Sequence, residues 1–430
     1  MAADRFCFEN YRPRKLEIID TTLREGSQTS LLHDHYKYFF SREDKVELVR
    51  ALIIYGVKFI ELFSPVVSPR EREDFQAIRE ARDELITQKG YTFLLAHSRC
   101  REEDAAAALE VGCDGLNLYI GTSGQARRYS HGRDLERLAE EAAALLEGLR
   151  RDRPELVLRF SGEDAFRTPE EELFRVYDRV VPRVHRLGLP DTVGVATPGL
   201  VRERVTRLRR RYPEIPFEGH FHDDRGFSLV NGLEGCRSGM QYMNTSLLGI
   251  GERSGITSMT ALLFNLFIEQ EFDHLEGYNL RGSYPINVLA ADKLKMLVPA
   301  NEPVSLTNRT HTAGVHQKAV LNHPSTYEAQ PLDQFGVSER EILLGPLSGW
   351  NVIHYFLHEI RGFHVGESLS REITARFKRT FYEAAPETSP ADFLVALAEG
   401  EFGLTRISHP GPYRDAIVQN LEEGEEPEEG

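Results

Sequence analysis

Short runs of β-branched, aromatic and other apolar residues alternate with longer amphipathic stretches from about residue 15 to residue 270. The short runs are KLEIIDTTL, VKFIELFS, YTFLLAH, GLNLYIG, LVLRFSG, GLPDTVG, PFEGHFHD and YMNTSLLG. Between them, residues 43–54, 101–110, 135–149 and 170–187 place apolar side chains near helical spacing. Eight β-then-α units over about 255 residues predict an α/β protein built as a (β/α)₈ TIM barrel. A doubly wound open sheet is the competing architecture. The polar positions decide between them. Arg24, Glu25, Glu61, His97, Asn117, Arg159, Thr192, His220 and His222 fall at or near strand ends. In a barrel those ends converge on one face, so several strands contribute to a single site.

The alternation stops after residue 270. The barrel is therefore assigned to 1–270, an irregular linker to 271–310 and a mostly helical region without a strand series to 311–420. Helices are expected there over 350–360 and 369–384. The last ten residues, LEEGEEPEEG, cannot bury apolar surface, and 421–430 is expected to be a disordered acidic tail.

A formal net charge of −15 argues against nucleic acid as a partner, because phosphate contact needs a basic surface. The local exception, RVTRLRRRY with Arg207, Arg209, Arg210 and Arg211, reads as the solvated outer face of a barrel helix. No apolar run reaches the roughly 20 residues of a membrane span, and the N-terminus lacks the apolar core of a signal peptide. Cys7, Cys100, Cys113 and Cys236 are scattered, as reduced thiols of a cytoplasmic protein would be.

The strongest chemical signal is His220-Phe-His222 at the end of the seventh strand. Residues i and i+2 of a strand project from one face, so both imidazoles can reach one ion. Glu25, at the end of the first strand, offers a third ligand. Such a set leaves positions open for water and substrate and suits Mn²⁺, Mg²⁺, Zn²⁺ or Co²⁺. An HxH pair alone is weak evidence, since two histidines often stand two apart by chance.

DTTLREGSQ, GHFHDDRGFSLVN and LGIGERSGITS together resemble the acyltransferase family of the 2-isopropylmalate, citramalate and homocitrate synthases, with homocitrate synthase the best match. HSRC, IGTSGQARRYSHGR, LRFSGEDAFR, DTVGVATP, HTAGVHQKAVLNHPSTYE and LSGWNVI follow in family order. The resemblance implies condensation of acetyl-CoA with a 2-oxo acid, then hydrolysis of the thioester. It implies Glu25, His220 and His222 as ligands of a divalent metal, with Arg24 beside the keto oxygen. Gln28 and Thr192 would meet the carboxylate and keto end of the acceptor. Arg159, with His97 and Ser161, would hold an anionic tail; an internal salt bridge is the bland alternative for this arginine. His316, helped by Glu163 and with Tyr327 nearby, would remove the methyl proton. His316 and Tyr327 would come from the partner chain, which implies a homodimer with shared sites.

LGIGERSG is not the dinucleotide fingerprint and reads as a flexible loop over CoA or acceptor. Arg127, Arg128 and His131 are as readily a solvated loop as a contact to CoA phosphates. Three departures from the family stand near the pocket. Asn117 replaces the usual aspartate that helps bind the inhibitor lysine. The loop after Gln28, TSLLHDHYKYFFS, is longer and adds His33, His35, Tyr36 and Tyr38. ELFSPVVSPRERE also differs. The favoured acceptor is 2-oxoglutarate, giving homocitrate; oxaloacetate and 3-phosphonopyruvate are the alternatives. A C–C lyase of the 3-hydroxy-3-methylglutaryl-CoA type and a non-catalytic oxo-acid-binding protein are the readings from other classes.

Overall fold

The computed structural model describes residues 8, 11–34, 39–131, 133–406 and 416–420. The acidic tail, His35, Tyr36 and Tyr38 of the long loop, and the side chain of His131 lie outside the described residues. The chain forms two compact units, Met1–Pro299 and Ala300–Gly430.

In the first unit eight parallel strands close into a barrel in chain order. They are β1 (Glu17–Asp20), β2 (Phe59–Leu62), β3 (Phe93–Arg99), β4 (Gly115–Gly121), β5 (Val157–Glu163), β6 (Arg186–Asp191), β7 (Phe217–Phe221) and β8 (Tyr242–Thr245). β8 closes on β1 with Glu17 opposite Tyr242 and Asp20 opposite Thr245. The amphipathic stretches form the outer helices, and their entries are fixed by side-chain caps. Ser41 and Asp44 make a reciprocal capping box, while Ser68, Asp134 and Thr197 each accept a backbone N–H of the first turn. Arg207 and Arg211 pair with acidic groups on the exposed helix surface, in keeping with a solvated outer face.

The helix expected over 170–187 stops at Val180. Pro182 lies in the tight turn that follows, where its missing N–H and fixed ring end the α-helical ladder. β6 therefore starts at Arg186, inside the segment expected to be helix. The first unit also runs past residue 270. It takes in the helix Ser283–Lys293, where Ser283 bonds Tyr55 and Asn287 bonds Thr260.

The second unit is mostly helical, with its own core around Ile342, Val352, Phe356, Ile373, Phe377 and Leu394. It also holds a small sheet in the order β11-β10-β9, which was not expected. Its strands are β9 (Thr310–His311), β10 (Glu339–Leu343) and β11 (Ala416–Asn420). Two residues of β9 are too few to leave a periodic signal, and the EREIL of β10 looks like a solvated segment. No helix among the described residues is long and apolar enough to cross a membrane.

His185, just before β6, packs edge-on to Phe8 and accepts the backbone N–H of Leu158 at Nδ1 (2.9 Å). Burial, with Arg150 and Arg186 nearby, pushes this imidazole down to about 4. The unfolded chain then binds the proton first, so this contribution to stability is complete above about pH 6.5 and lost as pH falls toward 4. It amounts to at most about 3 kcal/mol. Unfolding of His185→Gln, measured from pH 7 to pH 4, should show a shallower acid loss than the wild type; an identical pH dependence would remove His185 as the cause.

Candidate active site

The inner faces of the strands change character in steps along the barrel axis. At the N-terminal end Ile19, Phe59, Phe93, Leu95, Val157 and Tyr242 pack into an apolar plug. One step of two residues further along, charge replaces it. Glu61, Asn117, Arg159 and Glu218 are buried there, and Arg186 lies beside them with its guanidinium over Phe59 and Tyr242. Another step of two brings His97, Tyr119, Ser161 and His220 to the inner face. Glu163 and His222 stand one step beyond these.

The charged layer is a connected network. Arg24 donates from Nε to Glu61 (2.8 Å) and from Nη1 to Glu25. Asn117 donates to the other oxygen of Glu61 and accepts from Arg186 Nη2 (3.3 Å). Glu218 faces Arg159 Nη2 (2.8 Å) and accepts from Arg186 Nε (2.6 Å) and Asn244 Nδ2 (3.0 Å). Burial alone would raise these carboxyls. The guanidinium of Arg24 instead holds Glu25 and Glu61 well below the usual carboxylate range, and Arg159 with Arg186 lowers Glu218. Asn117 serves as donor on one side and acceptor on the other. A carboxylate in its place would face Glu61 with like charge.

Above this layer Glu25, His220 and His222 converge. Their ligand atoms all lie within 4.8 Å of one another. The two imidazole Nε2 atoms are 3.2 Å apart, and Glu25 Oε1 stands 3.4 and 3.8 Å from them. His220 is oriented by Asn244 Oδ1 at its Nδ1 (3.1 Å), which leaves Nε2 for a ligand. Burial and His220 push His222 down to about 3, so its imidazole is neutral, the form that binds a metal. One carboxylate and two imidazoles facing a common point fit a divalent cation. These three residues are the ones picked out from the sequence as candidate ligands.

The other expected residues are placed as follows. Arg159 is buried beside Ser161, and its Nε has no hydrogen-bond partner. His97 lies 3.5 Å from Glu61 Oε1 with its ring stacked on Tyr119. Glu163 ends β5, and burial with Asp164 next to it raises its carboxyl. Thr192 accepts the backbone N–H of Asp164 (2.9 Å). Gln28 stands exposed on the turn after Glu25. In the second unit the rings of His316 and Tyr327 stack 3.9 Å apart, both exposed, while His311 is buried against Glu328 (3.0 Å).

The loop 249–255 is pinned, contrary to expectation. Ser246 bonds Ile250 O, Ile256 N bonds Gly249 O, and Arg253 bonds Asp224 and Thr192 O. Gly255, at φ +85°, leaves no room for a side chain, since a Cβ would stand 2.0 Å from Gly249 O. Arg127 is taken up by Glu172.

An HMGL-like family model matches residues 15–282, and one described as homocitrate synthase post-HMGL domain-like matches 304–384. The chain belongs to the HMGL-like family, alongside the homocitrate synthases. It is 35% identical over 370 residues to a mitochondrial homocitrate synthase of Schizosaccharomyces pombe, covering 86% of this chain and 84% of that protein. The cytosolic homocitrate synthase isozyme of Saccharomyces cerevisiae is 35% identical over 365 residues, 84% of this chain and 81% of that one. A 2-isopropylmalate synthase of Rhodopirellula baltica is 30% identical over 352 residues, covering 79% and 64%. Among solved structures, hydroxymethylglutaryl-CoA lyase of Pseudomonas aeruginosa superposes with a TM-score of 0.54 at 20% identity over 66% of this chain and 92% of that one. That likeness shows the shared barrel. In this HMGL-like chain, sequence inspection had missed Arg186, Glu218, Asn244 and Tyr119 as parts of the site. Position was the available signal: Glu218 precedes His220 by two on one strand.

Proposed function

We propose that this chain condenses acetyl-CoA with a 2-oxo acid bearing an anionic tail, 2-oxoglutarate being favoured, and then hydrolyses the thioester to release homocitrate and CoA. The observation that carries this is the uneven charge of the buried layer. Near the proposed ligands one guanidinium, Arg24, faces two carboxylates, Glu25 and Glu61. In the row beneath His220 one carboxylate, Glu218, faces two guanidinium groups, Arg159 and Arg186. The first end suits a cation. The second lacks one negative charge, which a tail carboxylate supplies.

Glu25, His220 and His222 would hold the metal ion. When bound it supplies Lewis acidity toward the keto end of the acceptor. Arg24 stabilises the negative charge that builds on the keto oxygen as the carbon–carbon bond forms. Arg159, with Ser161 and His97, holds the tail; Thr192 and Gln28 serve the C1 carboxylate. His316 takes a proton from the acetyl methyl, with Glu163 assisting and Tyr327 beside it. The resulting carbon nucleophile attacks the 2-oxo carbon, and water then cleaves the thioester.

His316 and Tyr327 are proposed to act in the partner's barrel, so the working unit is a homodimer. Their exposure as a stacked pair supports this. The cytoplasm is the proposed location, in line with Cys100 and Cys236 being free. The test is CoA release from acetyl-CoA with 2-oxoglutarate, oxaloacetate, 3-phosphonopyruvate, pyruvate and 2-oxoisovalerate in turn. 2-Oxoglutarate should give the highest kcat/KM, and release with none of them would remove the proposed reaction.

A further inference from the structure

Tyr119 is a side chain that neither the ligand set nor the proposed chemistry uses. Its direction follows from the strand. Asn117, two residues earlier, reaches Glu61 on β2 and Arg186 on β6, so it points into the barrel. Tyr119 therefore also points inward, one step nearer the mouth. Its Cα pairs with Ser161, while Asn117 pairs with Arg159 in the row beneath. The ring thus stands over the part of the pocket assigned to the acceptor's tail.

The ring is held in place. It stacks on His97 with centroids 4.6 Å apart and planes 14° from parallel. His97 Nδ1 is buried without a hydrogen-bond partner, 3.5 Å from Glu61 Oε1, so the imidazole is positioned largely by this stack. Glu61 is in turn fixed by Arg24 and Asn117. Tyr119, His97 and Glu61 form one continuous wall whose outermost member is a large, flat, apolar face. A tail that lies along this wall to reach Arg159 has the ring as its limit.

We infer that Tyr119 sets the upper limit on the length of the acceptor's tail, restricting the chain to oxo diacids no longer than 2-oxoglutarate. This rests on the reaction proposed above. A wall residue of this kind discriminates by volume, and one methylene in a closed pocket is worth about 10- to 200-fold in kcat/KM.

The experiment compares kcat/KM for 2-oxoadipate with that for 2-oxoglutarate in the wild type and in Tyr119→Ala, Tyr119→Leu and Tyr119→Phe. The ratio should rise at least about tenfold in the Ala and Leu variants and stay near wild type in Phe, which keeps the stacked ring. CoA release with 2-oxoglutarate but an unchanged ratio in both Ala and Leu would overturn the role of Tyr119. A Phe variant as permissive as Ala would overturn the steric account, since the hydroxyl and not the ring would then be the determinant. No release by the wild type with either acid overturns the proposed reaction instead. Leu retains bulk where Ala leaves a cavity, so a folded variant is available if Ala is unstable.

Discussion

His222→Ala and His316→Ala should each lower CoA release by more than about a hundredfold, and mixing the two inactive proteins should bring activity back. The two losses have different origins. His222 stands 3.2 Å from His220 and 3.8 Å from Glu25, so its removal breaks the ligand set. Its Nδ1 has no hydrogen-bond partner and its Nε2 meets His220 Nε2, and His220 keeps Asn244 at its Nδ1, so the barrel should stay folded. His316 lies in the second unit, exposed and stacked on Tyr327, and its removal leaves the ligands intact. If each site draws ligands from one chain and the base from the other, a hybrid dimer has one complete site. Random exchange then gives about a quarter of wild-type activity. Absence of recovery, with subunit exchange verified by a mass tag, would place His316 in its own chain's site. Chelation should inactivate the wild type and added Mn²⁺ restore it, whereas His222→Ala should bind the ion weakly in direct measurement. Normal turnover and full metal content in His222→Ala would remove the ligand assignment.

The barrel and the candidate ligand set were legible because parallel strands leave strong local signatures. Each of the eight short runs overlaps an observed strand, and GLNLYIG matches β4 at both ends. Glu25, His220 and His222 could be read because the spacing on one strand and the end of another already imply convergence. Of the charged layer beneath them, Glu61, Asn117 and Arg159 were placed at the converging strand ends, whereas Glu218 and Arg186 were not. Alternation of polar and apolar residues normally marks the polar face as solvated. In a closed barrel the outward face is covered by helices, so the polar alternates at Glu61, Asn117, Arg159 and Glu218 point into the interior. Arg186 was hidden for a second reason, since the helical pattern before it ran on through Pro182. Tyr119 looked like an ordinary strand residue, because nothing local reveals that its ring will meet His97 on the neighbouring strand. The resemblance carried Arg159 toward the acceptor; it could not show that Arg159 and Arg186 share a single carboxylate.

That sharing makes the preference for an anionic tail testable at two positions. The wild type should favour 2-oxoglutarate over 2-oxoisovalerate by at least about a hundredfold in kcat/KM, because a charge-paired contact of this kind is worth about 2–5 kcal/mol. Arg159→Ala should erase most of that preference while lowering stability little. Glu218 keeps Arg186 at 2.6 Å and Asn244 at 3.0 Å, so the buried carboxylate remains paired. Glu218→Gln should behave oppositely. It leaves two buried guanidinium groups without their carboxylate, at a cost of about 3–5 kcal/mol in unfolding free energy. Gly188 provides the second position, since the guanidinium of Arg159 lies directly over it. A Cβ there would stand 2.5 Å from Nη2 and 2.6 Å from Cζ. Gly188→Ala should therefore displace Arg159 and reduce tail selectivity without altering any ionisable group. Efficient turnover of 2-oxoisovalerate by the wild type would defeat the role of Arg159 and move the chain toward the isopropylmalate reaction. Selectivity intact in Gly188→Ala but lost in Arg159→Ala would show instead that the guanidinium can shift and still reach the tail.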